Sequence, residues 1–562
     1  MTLSEKFRQL IADEWETRMM EDPLLATFTG DQRFNDRLPG MAEADFERRM
    51  GLMRGFLDRL AAIDREALPP SDHLDYDIFG RLLSNELRLL EFRTYRLPIS
   101  KAGGFHTYFP ELHLQVPLAT VRDYENYIAR LNAFHRYMDD HIEIMRIGLR
   151  EGHVPARVTL EGVDGNLRPQ IVDDPVQSLL YTPFKQFPAS FSESETLRLA
   201  GAGAAAIRDS VVPAYATLLR FVTGEYLPAA RETIAAADLP EGNLYYLHCI
   251  RYFTSLDLTP QEIHQTGLEE VRRIRVEMDD VIKRVGFDGD FKAFIEFLRT
   301  DPQFYVTRPE DLLARTALIL KRMDGELPRL FKTLPRLPYG IREIPDFAAP
   351  GNTAAYYQPG SGDGTRAGYY YVNTYDLPSR PLYEIEALSL HEAVPGHHLQ
   401  IALQQELDLP NFRRFGGFTS FVEGWALYSE RLGLETGFYT DPYSDFGRLS
   451  YEMWRACRLV VDTGMHALGW SRQQAIDYMA ANTSSTLLNI TNEVDRYIAW
   501  PGQALAYKIG EIRIRLLRAR AEQDLGPRFD LREFHDILLT SGAVPLDVLE
   551  EMVTAWVTAK KK

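Results

Sequence analysis

The chain has 562 residues, of which 45% are hydrophobic and 25% charged, and its formal net charge is −17. This is the composition of a globular protein with a large core, and the negative charge argues against nucleic acid or an anionic membrane surface as a partner. Two cysteines give no disulfide framework and residues 1–22 lack the pattern of a signal peptide or membrane span, so we predict a cytoplasmic protein.

Helical patterns dominate the chain, with apolar residues recurring at spacings of three and four. The clearest start signal lies at Thr259, a predicted N-cap that is followed by Pro260 in the first turn and by Glu262 three residues on. These patterns predict a mainly α fold. The predicted helices are Leu83–Phe92, Val121–Leu149, Pro260–Val285, Pro309–Leu330 and Ser450–Leu468.

Clusters of Pro and Gly interrupt the helical pattern at residues 332–351, 359–368 and 378–381. We interpret the first cluster as a boundary between an N-terminal helical lobe, residues 1–345, and a C-terminal catalytic lobe, residues 346–562. The two lobes are expected to share one core. A cleft between them would hold a functional site.

The clearest strand is Gly368–Asn373, which is aromatic and β-branched and follows a Gly-rich turn at residues 360–364. It lies about twenty residues before the motif described next. An edge strand at this place would bind an extended peptide through main-chain hydrogen bonds, with Tyr370 and Asn373 as substrate-binding residues. The alternative is a core hairpin whose Tyr side chains pack inside.

Residues 391–398 read His-Glu-Ala-Val-Pro-Gly-His-His. In the uninterrupted motif His-Glu-x-x-His, two histidines four apart on one helical face bind one Zn²⁺. Here Pro395 stands at the fourth position, where it lacks an N–H and clashes with the His391 carbonyl. In an unbroken helix a residue six positions on would lie about 240° around from His391, on the wrong face. We therefore predict a bulge that brings His397, or alternatively His398, to the place of the second ligand.

A third ligand is expected from Glu423, which lies 32 residues after His391 inside the apolar, helix-compatible segment 418–428. A buried carboxylate is usually paired, hydrogen-bonded or bound to metal. Three protein ligands and a water give the open coordination of a catalytic zinc, with Glu392 as general base. The alternative is that the histidines only cap or decorate a helix and that Glu423 is salt-bridged.

These motifs resemble one bacterial family over most of the chain. The segment 391–398, followed by Glu-Gly-Trp-Ala-Leu-Tyr at 423–428, resembles the family catalogued as DUF885. That family is related in fold to the zinc carboxypeptidases of peptidase family M32. It is more distantly similar to angiotensin-converting enzyme and the thimet oligopeptidases. The other stretches of the resemblance are Thr27–Asp31, Arg251–Thr254, Arg455–Asp462 and Trp500–Tyr507.

The resemblance implies a large, two-lobed, metallopeptidase-like helical fold with a central cleft and a small β-sheet next to the metal helix. It also implies a gluzincin-like site that binds one Zn²⁺ per chain. The ligands would be His391, His397 and Glu423, and the base would be Glu392.

Two further catalytic residues follow from the resemblance by position. The related peptidases use a Tyr and a His in this part of the chain to stabilise the transition state, and these roles fall to Tyr497 and His466. Tyr497 and Tyr507 flank a predicted helix break at Trp500, and Asp462 lies four residues before His466 on the same helical face. A structural role is the alternative for each.

Three arginines, Arg455, Arg458 and Arg496, lie in otherwise apolar sequence. An arginine can bind a substrate carboxylate bidentately, so we name Arg458 and Arg496 as substrate-binding candidates for a carboxypeptidase. The alternative is a set of internal ion pairs. Their acidic partners would be Asp462, Glu493 or Asp495.

The sequence thus predicts a zinc-dependent hydrolase that cleaves short peptides in the manner of a carboxypeptidase or dipeptidase. One alternative is a metal-dependent hydrolase of a small non-peptide amide. The other is a non-catalytic helical protein in which the Pro-Gly pair has dismantled the zinc site. The oligomeric state stays open.

Overall fold

The computed structural model describes residues 2–345, 349, 353–361, 364 and 366–562. This part of the chain is mainly α-helical with two small β-sheets, which confirms the predicted fold class at that level. None of the described helices combines the length and the apolar character that a bilayer crossing requires.

The chain divides into two compact units, Met1–His248 and Cys249–Lys562, with one helix, α11, running across the division. Unit 1 also contains a two-stranded antiparallel sheet, β1 (Ile99–Ser100) and β2 (Gly103–Gly104). The helices up to the division are α1 (Leu3–Glu21), α2 (Pro23–Thr29), α3 (Glu43–Ala61), α4 (Pro70–Glu91), α5 (Phe105–Tyr108), α6 (Val121–Glu151), α7 (Arg157–Leu160), α8 (Val163–Leu167), α9 (Glu193–Ala206), α10 (Val212–Phe221) and α11 (Gly242–Thr254).

Unit 2 contains a three-stranded sheet and thirteen α-helices within its described residues. Its strands are β3 (Tyr339–Glu343), β4 (Ala355–Gln358) and β5 (Gly368–Val372). Its helices are α12 (Pro260–Arg284), α13 (Phe291–Thr300), α14 (Pro309–Leu330), α15 (Ile385–Glu392), α16 (His397–Glu406), α17 (Asn411–Arg414), α18 (Thr419–Leu432), α19 (Pro442–Ala467), α20 (Arg472–Asn482), α21 (Leu487–Ala499), α22 (Ala506–Leu525), α23 (Leu531–Leu539) and α24 (Leu546–Lys561).

The core of unit 1 forms along α6, the 31-residue helix that opens with a capping box between Thr120 and Asp123. Leu131, Phe134 and Met138 recur on one face of α6 and are fully buried. They belong to a cluster that includes residues of α9 and α10. The predicted helix Val121–Leu149 is therefore confirmed and ends two residues later.

The other predicted helices are present as well, and two of them begin earlier than predicted. The segment 83–92 is the second half of α4, and the segment 450–468 is the later part of α19. Both helices start at a proline, Pro70 or Pro442, a position where the missing N–H leaves no bond unmade. The capping box of α12 joins Thr259 and Glu262 as predicted.

Two close helix pairs shape unit 2, α12 against α19 and α18 against α22. The second crossing is possible because glycines face each other. A Cβ atom on Gly510 would lie 1.9 Å from the Ser420 carbonyl oxygen, and one on Gly424 would lie 2.5 Å from the Gly510 Cα. Since no side chain fits there, α18 is held directly against the α22 backbone.

The sheet of unit 2 has the order β3–β5–β4, with β3 parallel and β4 antiparallel to β5. The predicted strand is confirmed, but its predicted role as an edge is wrong because β5 is hydrogen-bonded on both sides. Tyr370 is buried, and the Asn373 side chain donates to the carbonyl oxygens of Ala349 and Thr353 at 2.8 and 2.9 Å. This arrangement gives no support to substrate binding by Tyr370 and Asn373.

The predicted lobe division between residues 345 and 346 adjoins residues 346–348, which lie outside the described part. That division, the shared core and the cleft between lobes stay predictions. The candidate site described next lies wholly within unit 2.

Candidate metal centre

The Pro-Gly pair of the motif separates two helices. Helix α15 ends before it and α16 begins directly after it, so the predicted bulge is a complete break. A Cβ atom on Gly396 would lie 1.9 Å from the His391 carbonyl oxygen, so only glycine permits this return of the chain. The indole N–H of Trp425 on α18 donates to the Pro395 carbonyl oxygen at 2.9 Å and fastens the break.

The break brings His391 and His397 together across from Glu423 on α18. Glu423 Oε2 lies 3.6 Å from His391 Nε2 and 3.5 Å from His397 Nε2, and all three ligand atoms lie within 4.8 Å of one another. The imidazole rings are nearly perpendicular, at 88°, with centroids 4.8 Å apart. His391, His397 and Glu423 are therefore the predicted ligands that converge.

The separations fit one metal ion better than direct hydrogen bonds. Bonds of about 2.0–2.1 Å in tetrahedral geometry place ligand atoms about 3.3 Å apart, close to the observed 3.5 and 3.6 Å. Glu423 Oε2 is buried and has no hydrogen-bond partner in the described part of the chain. A carboxylate oxygen of this kind needs a cation, so the donor set suits zinc.

The alternative second ligand, His398, points elsewhere. Its Nδ1 shares a hydrogen bond of 2.9 Å with the Tyr357 hydroxyl on β4, and its ring packs on Tyr339 with centroids 4.6 Å apart. His398 thus connects α16 to strands β3 and β4 of the sheet. Between the two adjacent histidines, the structure brings His397 to the cluster.

Behind the cluster, Glu430 receives a hydrogen bond from His391. The Nδ1···Oε1 distance is 2.7 Å and both side chains are buried, so Nδ1 donates and Nε2 is left to face Glu423. Arg455 lies 3.8 Å from the same Glu430 oxygen. Sequence reasoning missed this role, although Glu430 lies seven residues, or two turns, after Glu423 on the same helix face.

Glu392 follows His391 directly and points toward β4. Its Oε2 accepts a hydrogen bond of 3.0 Å from the Tyr357 backbone N–H. Burial raises the pKa of Glu392, and the positive charges of His391 and His397 oppose that rise. A half-buried carboxylate next to the cluster, oriented by one backbone donor, has the placement of a general base.

The cluster balances its own charges. Burial opposes ionisation of Glu423, but the charges of His397 and His391 outweigh it and hold the pKa of Glu423 well below its usual range. Burial likewise disfavours charge on His391, yet Glu423 and Glu430 outweigh it and raise the pKa of His391 to about 9. Binding of a metal would therefore release a proton from His391.

The predicted transition-state residues Tyr497 and His466 lie in a buried polar network. The Tyr497 hydroxyl donates to Glu493 at 2.8 Å and accepts from Arg458 at 2.8 Å and from Trp454 at 3.0 Å, which uses the full bonding capacity of a hydroxyl. His466 Nε2 bonds the Tyr497 carbonyl oxygen at 3.0 Å. Their catalytic roles stay predictions that these contacts do not support.

Tyr507, the second tyrosine beside the Trp500 break, interacts electrostatically with the candidate ligand Glu423. Burial and then the negative charge of Glu423 raise the pKa of Tyr507. Its oxygen accepts a long hydrogen bond of 3.3 Å from Gln503. Within the described residues the Tyr507 hydroxyl donates no hydrogen bond, so its O–H is available to donate to a ligand.

Arg458 and Arg496 share one acidic partner. Glu493 lies 3.2 Å from Arg458 and 2.9 Å from Arg496, which is the internal ion pairing given as the alternative above. The Arg458 guanidinium also stacks over the Tyr507 ring at 4.6 Å. Two cations on one carboxylate leave an excess positive charge beside Tyr507, and substrate binding by Arg458 and Arg496 stays a prediction.

Comparison with known proteins confirms the resemblance. The model of the family described as bacterial protein of unknown function, DUF885, matches residues 23–553, and the chain belongs to this family. A "putative lipoprotein" of Colwellia psychrerythraea has 28% identity and a TM-score of 0.95, and the match covers 100% of both chains. A "putative lipoprotein of unknown function" of Shewanella oneidensis has 18% identity and a TM-score of 0.73 over 99% of this chain and 100% of that one, which shows the fold alone. No curated protein matches the chain.

Proposed function

We propose that this member of the DUF885 family is a zinc-dependent hydrolase that cleaves short peptides, in the manner of a carboxypeptidase or dipeptidase. The observation that carries the proposal is the buried Glu423 Oε2, which faces the Nε2 atoms of His391 and His397 and has no hydrogen-bond partner within the described part of the chain. When bound there, a zinc ion supplies Lewis acidity, which lowers the pKa of a water and polarises a carbonyl.

Glu392 is the proposed general base. The Tyr357 N–H holds one of its oxygens, and Glu392 is the residue next to His391. A general base has to lie within hydrogen-bond reach of the proton that it takes. Glu392 would take a proton from the attacking water and return it to the leaving amine. Glu430 would act as a positioning residue that fixes the ring of His391.

For stabilisation of the oxyanion, the contacts favour Tyr507 over Tyr497. The Tyr497 hydroxyl already makes three hydrogen bonds, whereas Tyr507 is electrostatically coupled to Glu423 and retains its proton as a donor. A donor aimed at a developing oxyanion is commonly worth 10²–10³-fold in rate, roughly. Tyr507→Phe is therefore the more informative substitution, with Tyr497→Phe as its matched control.

One observation favours the second candidate, hydrolysis of a small non-peptide amide. A peptidase of the predicted kind was expected to pair its substrate with an edge strand, but β5 is central and the outward Tyr357 N–H of β4 is bonded to Glu392. On the peptidase side, the excess charge of Arg458 and Arg496 over Glu493 suits the free carboxylate of a short peptide.

The first test is elemental analysis of purified protein, comparing wild type with His391→Ala and with His398→Ala as the control. We expect about one zinc per chain in wild type and in His398→Ala, and its loss in His391→Ala, because His391 faces Glu423 whereas His398 bonds Tyr357. Wild-type protein that binds no zinc after supplementation would contradict the proposal.

The substrate class is tested by hydrolysis assays on three panels: short peptides with a free C-terminus, the same peptides amidated, and acylated small amines. Cleavage of the free peptides alone supports the carboxypeptidase-like proposal. Cleavage of the acylated amines alone favours the second candidate.

We also propose the cytoplasm as the location, in line with two buried free cysteines. The description of two relatives as lipoproteins supplies the competing location, the cell envelope. Fractionation of the native host, followed by detection with an antibody, separates the two.

A further inference from the structure

A polar cavity lies in unit 2 between α12, α18 and α22, apart from the candidate metal centre. Its volume is about 440 Å³. Four arginines and three glutamates supply its charged lining. These residues are Arg273, Arg431, Arg515, Arg518, Glu270, Glu435 and Glu522.

Three of the four arginines have carboxylate partners. Arg518 binds both oxygens of Glu435, at 2.6 and 2.8 Å, and also Glu522 at 2.8 Å. Arg273 forks onto Glu270 at 2.8 and 3.1 Å. Arg515 pairs with an acid outside the cavity lining, Glu511, at 3.2 Å.

Arg431 is the exception. Within the described part of the chain no carboxylate lies within ion-pair distance of it, and its Nη1 is buried without a hydrogen-bond partner. Burial and the positive charges of Arg515 and Arg448 lower the pKa of Arg431, although Glu452 and Glu511 oppose them. A half-buried guanidinium without an ion-pair partner is costly unless an anion joins it.

We infer that this cavity binds a small oxyanion, a carboxylate or phosphate group, with the Arg431 guanidinium as its main ligand. A planar guanidinium offers two parallel donors that match two oxygens of such a group. The anion would supply the acceptor oxygens that Arg431 lacks among the described residues. The volume exceeds that of a bare phosphate, so the ligand can carry a substituent.

The inference does not rest on the proposed hydrolase function. Arg431 follows Glu430 on α18, so their side chains diverge by about 100° around the helix. Glu430 contacts His391, whereas Arg431 lines the cavity. One helix therefore presents residues to two separate sites.

The test is isothermal titration of wild type, Arg431→Gln and Arg520→Gln with inorganic phosphate and, separately, with succinate, at constant ionic strength set by chloride. Arg520 is an exposed arginine of α22 that pairs with Glu550 and serves as the matched control. We expect wild type and Arg520→Gln to bind one of the two probes, and Arg431→Gln to bind it about tenfold more weakly or worse. The probe that binds identifies the phosphate or the carboxylate source.

Stability measurements provide a second readout on the same variants. In buffer without either probe, Arg431→Gln should melt at or above the wild-type temperature, because the substitution removes an unpaired charge. The binding probe should raise the melting temperature of wild type and leave that of Arg431→Gln unchanged. If Arg431→Gln does not fold, Arg431→Lys replaces it, with weakened binding expected from its single point charge.

Two results would overturn the inference. One is a wild-type protein that binds neither probe, by heat or by melting temperature. The other is an Arg431 variant, Gln or Lys, that binds the probe as tightly as the Arg520→Gln control.

Discussion

Two clusters in unit 2 each bring three potential metal ligands within 4.8 Å, and they differ in what already balances their charge. In the second cluster, Glu270, Glu452 and Glu511 surround the Lys508 ammonium at 2.9, 2.7 and 2.8 Å. The ammonium stands where a cation would bind. In the first cluster two imidazoles meet a carboxylate oxygen that has no hydrogen-bond partner among the described residues.

The comparison shows that proximity of ligand atoms is a weak criterion for a metal site. What separates the clusters is the group that balances the carboxylates: the Lys508 ammonium occupies the centre of the second cluster, whereas in the first an imidazole nitrogen can exchange its proton for a metal ion. Lys508 and Arg273 satisfy the three glutamates, and burial alone would otherwise oppose their charge.

The largest effect is expected from Glu392→Gln beside the first cluster. Loss of the general base should lower kcat by about 10²–10⁴-fold, because an amide cannot accept the proton. Zinc content should stay at the wild-type value, since Glu392 is not a ligand. Steady-state kinetics measure kcat, and elemental analysis of the same samples measures the zinc content. Glu511→Gln, in the second cluster, is the control: its folded protein should have the wild-type kcat. Full activity in Glu392→Gln would rule out the mechanism.

Lys508→Met in the second cluster should destabilise the protein by about 3–5 kcal/mol, because the buried carboxylates of Glu452 and Glu511 and the half-buried one of Glu270 lose their shared cation. Urea unfolding, followed by circular dichroism, measures the change, and zinc content of the folded protein should not alter. A loss below about 1 kcal/mol would show that other cations, such as Arg273, suffice.

Glu430→Ala should weaken zinc binding by about 10–100-fold, because His391 loses the acceptor that orients its ring. Competition with a chromophoric chelator gives the affinity. Glu430→Gln keeps a carbonyl acceptor and should restore part of the loss. Equal zinc affinities in wild type, Glu430→Ala and Glu430→Gln would show that Glu430 does not contribute to zinc binding.

The smallest effect concerns acid stability of the second cluster. Burial opposes ionisation of Glu270, but Arg273 and Lys508 outweigh it and lower its pKa from 4.5 to about 2. The contribution of ionised Glu270 to the stability of the folded protein is therefore complete above pH 4.5 and is lost as the pH falls toward 2. Between about pH 7 and about pH 3, wild type should lose about 1–2 kcal/mol more than Glu270→Gln in urea unfolding. Parallel pH profiles would contradict this.

Much of the helical fold could be predicted from periodicity and start signals, as the confirmed capping box at Thr259 shows. The order of the sheet could not, because β3 and β4 contain residues whose pairing depends on the tertiary fold and not on local pattern. The strand Gly368–Val372 was found, but its neighbours were not, so its central position was missed.

The candidate site shows the same division. His391, Glu392 and Glu423 carry a recognisable motif, and Pro395 correctly indicated an interruption. The choice of His397 over His398 depends on how far the chain turns at Gly396, which only the close approach to the His391 carbonyl reveals. Glu430 required the pairing of α15 with α18, which a single sequence does not contain.

The three candidate ligands occupy only 33 consecutive residues, from His391 to Glu423. Closing a flexible loop of that length costs about 3 kcal/mol of chain entropy, and doubling the length adds only about 0.6 kcal/mol. The donor set is therefore local in the chain, and the connection at residues 407–410 between α16 and α17 can change length at little entropic cost. Homologous chains with longer or shorter connections there can retain the same three ligands.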